Sequence, residues 1–442
     1  MVQEKMTIQL KHAIILSLDN TISEIVQLAD TLGYTVKKEF IQLRQTPDVN
    51  YYVGSGKVDE IKTYLDETED HVDLVIVNGE LKPSQWFTLE KKLGTTVYDR
   101  IRLILAIFEE HAERREARLQ VRLAQLHYER PQVRELIHRA KAGEHPGLMA
   151  GGEYQVDDYY EMIKRQMKDI NVELEKIRKN REMHRESRYT SGFYLVSLAG
   201  YTNAGKSSLL NLLTKETVKV EGKLFSTLST TTRKIQTPAL KRTLPVLLTD
   251  TVGFIEHLPS WVIDAFHSTL EEIQVADVVL LVADGSEELS VVERKISISL
   301  QELRNLNVTA PILIALNKVD LISVEKAHEC IQSLHQHLGV QTESCLPISV
   351  TTQYNIDRLL EIIEVSLPSR STLTCTLPNT PASQKFLSFL YETTHVLNVT
   401  YGTTMTIIFE CNEKIKQKIL SQCHAIGGSC ADDVQGVSLT KE

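Results

Sequence analysis

The stretch Gly200-Tyr-Thr-Asn-Ala-Gly-Lys-Ser207 follows an apolar run, Phe193 to Ala199, and leads into Ser208-Leu-Leu-Asn-Leu212. A buried strand therefore passes through a glycine-bearing turn into a helix, the order that a phosphate-binding loop requires. Gly200 and Gly205 permit backbone angles that let successive N–H groups face the phosphates, and the helix that starts near Lys206 adds its positive end. The expected nucleotide-binding run is Gly200, Tyr201, Thr202, Asn203, Ala204, Gly205, Lys206, Ser207 and Ser208. Lys206 would reach the β- and γ-phosphates, and the Ser207 hydroxyl would ligate a magnesium ion.

Downstream, Leu247 to Gly253 reads as a strand ending in Asp250-Thr251-Val252-Gly253. Asp250 would hold magnesium through a water, while the Gly253 N–H could sense the γ-phosphate. The apolar run Ile312 to Leu316 ends in Asn317-Lys318-Val-Asp320, where a carboxylate can accept two hydrogen bonds from guanine N1–H and its amino group. Adenine lacks that donor pair, so GTP is the expected nucleotide. Ile348-Ser349-Val350 is placed to contact the base from its other edge. The segment Leu224 to Arg233, ahead of a strand expected over Lys234 to Leu240, is rich in hydroxyls and includes Phe225 and Thr227. One threonine there should close over magnesium and the γ-phosphate, Thr231 first and Thr232 as the alternative. Lys206 and Thr231 are thus the catalytic candidates. Phe254 stands where many small GTPases carry a water-positioning glutamine, which predicts slow intrinsic hydrolysis and dependence on an activating partner. Asn203 could help to hold potassium beside the phosphates or serve as a structural amide.

Upstream, strand-like and helix-like stretches alternate over the first hundred residues, as in an α/β domain with a parallel sheet. Tyr51-Tyr-Val-Gly-Ser-Gly-Lys57 is too short for a second phosphate loop and reads as a turn into a helix. From Arg100 the composition shifts to charged helix formers. Leu105, Phe108, Ala112, Leu119, Leu123 and Leu126 recur at helical spacing with Arg115 filling a polar gap, and Pro131 ends or kinks the pattern. A second series, Ile163, Met167, Ile170, Leu174 and Ile177, would pack on the first as an antiparallel hairpin. Its arginines and lysines are interleaved with glutamates, so a partner-binding face and a solvated face both fit. The segment Ala142 to Asp158, with four glycines, would form its tip. Beyond Ser371 a small α/β domain is expected, without evident chemistry. The resulting division is 1–99 α/β domain, 100–190 helical hairpin, 191–370 G domain and 371–442 C-terminal domain.

The whole chain, 442 residues and 50.1 kDa, has 24% charged and 42% hydrophobic residues, ordinary for a globular protein of several domains. A net charge of −9 argues against a general nucleic-acid coat while leaving room for local basic patches. No run is apolar for the roughly 18 residues that a membrane span needs, and the first ten residues lack a signal-peptide core, so a cytoplasmic protein is expected. The six cysteines show no Cys-x-x-Cys pair, which predicts reduced structural thiols.

The phosphate loop, Leu224-Phe225, Thr231-Thr232-Arg233, Asp250-Thr-Val-Gly-Phe254, Leu258-Pro259, Ala265-Phe266 and Thr269-Leu-Glu-Glu272 together resemble the HflX family of bacterial GTPases. Tyr52-Val-Gly-Ser-Gly-Lys57 and Phe108 to Leu119 extend the resemblance over nearly the whole chain. It implies a P-loop GTPase that binds the large ribosomal subunit, splits stalled or idle ribosomes and inserts its hairpin toward the peptidyl-transferase centre. A monomer is expected; the alternative is a G-protein switch acting through a protein effector docked on the hairpin. Two departures from the family stand out. Tyr159 and Tyr160 occupy the place of an arginine pair near the hairpin tip, exchanging phosphate contacts for aromatic stacking. Glu256 stands where the family often has arginine.

Overall fold

The computed structural model describes residues 11–69, 71–141, 152–190, 193–215, 231–235, 246–251, 253–254, 261–262 and 272–432. The chain divides into two compact units, one holding the N-terminal sheet and the hairpin to Lys176, the other holding two further sheets from Ile177 onward.

In the first unit β1 (Lys11–Ser17), α1 (Ser23–Thr31), β2 (Tyr34–Ile41), α2 (Ser55–Glu67), β3 (Leu74–Val77), α3 (Pro83–Leu93) and β4 (Thr96–Asp99) alternate along the chain. The sheet order is β2-β1-β3-β4 and every pair is parallel. Its central strands read Ile14-Ile-Leu16 and Leu74-Val-Ile-Val77 because helices cover both faces of such a sheet. The Tyr51–Lys57 segment is a turn. Tyr52 Oη donates to the Asn78 carbonyl at 3.0 Å, and the Gly54 N–H donates to Gln42 Oε1 at 2.8 Å just before α2 begins. Gly79 is required beside it, since a Cβ there would lie 2.1 Å from Tyr52 Oη.

The first helical series is not one helix. α4 (Arg100–His111), capped by Asp99, which accepts from the Arg102 N–H at 2.8 Å, packs Leu105 and Phe108 into the α/β unit; α5 (Arg115–Lys141) starts afresh after Ala112. Arg118 holds the break: its guanidinium donates to the carbonyls of Ala112 and Glu113, at 3.2 Å and 2.7 Å. The polar gap at Arg115 marks this restart. Pro131 lies within α5, and the apolar seam continues past it through Val133 and Ile137.

α6 (Gly152–Thr190) runs back along α5, with Ile163, Met167, Ile170 and Leu174 against Leu123, Leu126 and Val133. Polar rungs set the register: Arg115 to Glu173 at 2.5 Å, Arg122 to Gln166 at 3.5 Å and Tyr159 to Glu129 at 3.4 Å. Seven residues forward on α5 match seven back on α6, the heptad step of an antiparallel pair. Tyr160 packs against the seam and Lys164 lies 4.6 Å over its ring, so this tyrosine is part of the hairpin's own packing.

In the second unit β5 (Tyr194–Ala199), α7 (Lys206–Thr214), β6 (Thr231–Lys234), β7 (Val246–Asp250), β8 (Val278–Asp284), α8 (Leu289–Asn305), β9 (Ile312–Asn317), α9 (Val324–Leu338), β10 (Cys345–Pro347) and α10 (Ile356–Ser366) build a sheet of order β10-β9-β8-β5-β7-β6. All its pairs are parallel except β6 with β7. The strand expected from Lys234 onward begins earlier, at Thr231, because the hydroxyl-rich residues Thr231 and Thr232 pair with Asp250 and Thr249.

The third sheet is antiparallel. β11 (Arg370–Pro378), α11 (Pro381–Thr393), β12 (His395–Tyr401), β13 (Thr404–Asn412), α12 (Glu413–Ala425) and β14 (Ser429–Asp432) give the order β12-β13-β11-β14. One expectation fails here. Cys375 and Cys430 are disulfide-bonded, because the β11–β14 register sets them directly opposite although 55 residues separate them. The other four cysteines are free and buried.

Leu126 is fully buried in the hairpin seam. Leu126→Ala should destabilise the hairpin by about 2–5 kcal/mol. The expected readout is faster amide hydrogen exchange in α5 and α6, with nucleotide affinity unchanged.

Candidate functional site

The strand order of the six-stranded sheet reverses at β5: the chain continues to β6 and β7 on one side and to β8 on the other. The crevice at the carboxyl ends of strands at such a point is where open α/β sheets bind ligands. Residues 200–205 occupy it. Gly200 has φ +133° and lies so close to β8 that a Cβ would sit 2.1 Å from the Val282 carbonyl oxygen. Gly205 has φ +98°, and its Cβ would lie 2.2 Å from Asn317 Nδ2. Asn203 is exposed at φ +62°, a conformation that asparagine tolerates better than most residues and one that accounts for its presence in the turn.

Lys206 opens α7 and is only 7% exposed. Its ammonium donates to the carbonyls of Gly200 and Tyr201 at 3.0 Å and 2.7 Å. Burial pulls its pKa down to about 8, while the charge of Asp250 acts in the opposite direction. The Ser207 hydroxyl donates to Asp250 Oδ2 at 2.8 Å. Thr251 donates to the Leu198 carbonyl at 2.7 Å, tying the end of β7 to β5. Beyond it the chain crosses the phosphate loop: Phe254 N–H donates to the Gly200 carbonyl at 3.0 Å, and Thr202 N–H to the Phe254 carbonyl at 3.1 Å. Gly253 therefore has no room for a side chain, since its Cβ would lie 2.8 Å from Thr202 Cγ2 and 2.9 Å from Lys206 Nζ.

The β9 end supplies the base side. Asn317 is a bracket: Nδ2 donates to the Ala204 carbonyl at 2.9 Å, and Oδ1 accepts from the Val350 N–H at 3.2 Å. It joins the phosphate loop to the segment expected at the base edge. Lys318, at φ +65°, pairs with Asp284 at 2.6 Å, and Asp320 is exposed. Ser349 is buried, and its hydroxyl accepts from the Thr352 N–H at 3.1 Å. Ser208 is half-buried on the first turn of α7.

Thr231 lies opposite Asp250 in the β6–β7 ladder. The hydroxyl of Thr232, the alternative, faces Thr249 Oγ1 at 3.0 Å. Phe225, Thr227, Val252 and Glu256 lie outside the described residues, as does the glycine-containing hairpin tip over residues 142–151. Sequence reasoning missed Asp284, which holds Lys318 and also accepts from Ser286, and Gly285, whose Cβ would lie 2.8 Å from Leu316 Cγ. Their signal was available: Asp284-Gly285 closes the apolar run Val278 to Ala283 at the same end of the sheet.

A phosphate loop, a hydroxyl–carboxylate pair for a hard cation and a base-edge loop, all at the carboxyl ends of neighbouring strands, define a P-loop GTPase. Residues 195–318 match the family described as 50S ribosome-binding GTPase, and residues 19–109 and 111–188 match the N-terminal and middle regions of GTP-binding GTPases. The GTPase HflX of Methanocaldococcus jannaschii is 39% identical over 404 residues, spanning 90% of this chain and 95% of its own. The chain belongs to the HflX family of GTPases and is a GTP hydrolase. The GTPase HflX of Caldanaerobacter subterraneus subsp. tengcongensis is 36% identical, covering 79% of this chain and 77% of its own. A crystal structure of an SsGBP–GDP complex is 28% identical, covers 80% of this chain and 98% of its own, and superposes with a TM-score of 0.50.

Bound phosphates would restore the proton that burial disfavours on Lys206. GTP affinity should therefore be flat below pH 7.5 and fall as pH rises past about 8, the pKa of the empty site. The loss should approach about tenfold per unit, the slope for one linked proton. Dissociation constants measured from pH 6.5 to 9.5 check this, and an affinity that stays level to pH 9.5 contradicts it.

Proposed function

We propose that this GTPase is a cytoplasmic switch acting on the large ribosomal subunit, where GTP-dependent ordering of its switch segments serves to split or rescue stalled and idle ribosomes. The observation that carries the switch is the Ser207–Asp250 pair beside Lys206, in a chain whose relatives are HflX GTPases. The ribosomal partner is supported by the match of residues 195–318 to the 50S ribosome-binding GTPase family.

In this reading the N–H groups of residues 200–205 and the ammonium of Lys206 hold the phosphates. The oxygen donors of Ser207 and Asp250 fit magnesium, the serine directly and the carboxylate through water, and Thr231 joins them when GTP orders its segment. Magnesium, when bound, neutralises charge across the phosphate oxygens. The Gly253 N–H registers the γ-phosphate, and Val252 lies in the same segment. Asp320 reads the guanine edge, with Ser349 and Val350 on its other side and Lys318 held beneath it by Asp284. Phe254 is 9% exposed and locked by its backbone to the phosphate loop, so it offers no hydrogen bond to the attacking water. Intrinsic hydrolysis is then slow, and a partner supplies about 10³ to 10⁵ in rate. Asn203 would help to ligate potassium in that activated state, or serve as a structural amide of the turn. The protein works as a monomer of four parts divided near residues 99, 190 and 370. Among the described residues no helix is long and apolar enough to cross a membrane.

One observation favours the second reading, a switch that works through a protein effector on the hairpin. Arg115, Arg118 and Arg122 are engaged within the hairpin, by Glu173, by main-chain carbonyls and by Gln166. Turnover assayed in potassium buffer with purified large ribosomal subunits separates the two. Stimulation of about a hundredfold or more, lost in Lys206→Ala, is expected; unchanged turnover with GTP tightly bound would sink the ribosomal reading. Asp320→Ala removes two charge-assisted hydrogen bonds, so GTP affinity should fall by about 10² to 10⁴ with little change for ATP. Competition binding of the two nucleotides checks it.

A further inference from the structure

The third sheet brings together three sulfurs. Cys375 on β11 and Cys430 on β14 face each other across the ladder, and Cys423 on α12 packs over them, all three Sγ atoms lying within 4.8 Å of one another. Two of these residues are fully buried, Cys375 and Cys423, whereas Cys430 is half-exposed on a strand at the sheet's edge. The turn that leads from α12 to β14 is fitted to them. Gly428 lies so close that a Cβ there would sit 2.8 Å from Cys423 Sγ and 2.2 Å from Leu377 Cδ2. Cys330, Cys345 and Cys411 stand outside this cluster and are buried, with thiols that burial pushes up to about 11, 12 and 12.

We propose that Cys375, Cys423 and Cys430 form a reversible oxidation site, in which the Cys375–Cys430 bond fastens the edge strand β14 to the sheet and Cys430 is the point of entry for a hydroperoxide. The Cys430 thiolate attacks the terminal peroxide oxygen and the O–O bond breaks; Cys430 becomes a sulfenic acid, and the departing oxygen leaves as water or alcohol. The Cys375 thiolate then attacks the Cys430 sulfur, the S–S bond forms, the S–O bond breaks and a water leaves. Two thiols have lost two electrons to one peroxide. Cys423 is the exchange partner: its thiolate can attack Cys430 and release Cys375 as thiolate, with no net oxidation. Burial raises the Cys423 thiol, which keeps that exchange slow and leaves the cross-strand bond as the resting product. A dithiol reductant reverses the process.

Among the described residues β14 pairs with β11 alone, and it is four residues long, so a covalent tie there changes how readily the strand detaches. The nucleotide site shares no residue with the cluster, so its GTP affinity serves as a folding control.

The test uses the full-length protein, reduced, desalted and exposed to hydrogen peroxide, with thiols counted after denaturation and the bonds located by peptide mapping. The six thiols of the sequence should fall to four, the new bond should join Cys375 to Cys430, and amide exchange in β14 should slow at least tenfold. Cys430→Ser, with GTP affinity unchanged, should lose no thiols to peroxide. Cys423→Ser should still form the Cys375–Cys430 bond. The inference is overturned if all six thiols survive, if the bond forms elsewhere, or if Cys430→Ser is oxidised as readily as the parent. It is overturned equally if the reduced protein takes up cobalt with a thiolate-to-metal absorption band and then resists peroxide, which would make the cluster a metal site.

Discussion

A buried ammonium needs oxygen around it, and the G sheet is arranged to provide it. Lys206 sits where an open parallel sheet divides, with the carbonyls of Gly200 and Tyr201 and the carboxylate of Asp250 nearby. Two glycines make this possible, one lying against β8 and the other against Asn317. The same closeness passes from the phosphate loop to the base side, because the amide of Asn317 grips Ala204 with one atom and Val350 with the other. The side chain of Asn317 is therefore spent on architecture, whereas Asp320, three residues on, is left exposed.

Residues 251, 253 and 254 complete the enclosure. Thr251 is tied to β5, and Phe254 donates its N–H to the Gly200 carbonyl and accepts from the Thr202 N–H across the loop. Residues 251 and 254 are thus both anchored. Gly253 lies between the anchors, against Thr202 and Lys206. A Cβ at Gly200 or Gly205 would lie only 2.1 Å or 2.2 Å from its neighbour, so the phosphate loop itself tolerates side-chain volume least, and Gly253, at 2.8 Å, little more.

Much of this was legible in the sequence for a definite reason. A phosphate loop is a local object, since its glycines, lysine and serine lie within eight residues and the apolar strand before it is continuous. Asp250, Asn317 and Asp320 could be found because each ends or follows an apolar run in a parallel sheet. What could not be read were relations between distant segments. The polar gap at Arg115 marks where the helical series restarts, but nothing in it announces that the bonds holding the break come from Arg118. Tyr160 looked like a tip residue and belongs to the hairpin seam, a matter of register set by rungs such as Arg122–Gln166. Cys375 and Cys430 gave no spacing signal, since strand pairing and not sequence distance brings them together.

The break between α4 and α5 also has a mechanical side. α5 is 27 residues long, about 40 Å at the helical rise, and it is held along its length: Arg118 donates to the Glu113 carbonyl, Gln125 donates to Glu109 at 2.8 Å, and the Arg139 guanidinium lies 4.6 Å from the Phe87 ring. A beam fixed at several points resists tilting, since a swing of about 10° would carry its far end about 7 Å out of those contacts. The stiffness of the arm comes from its heptad rungs, and its aim from these contacts taken together.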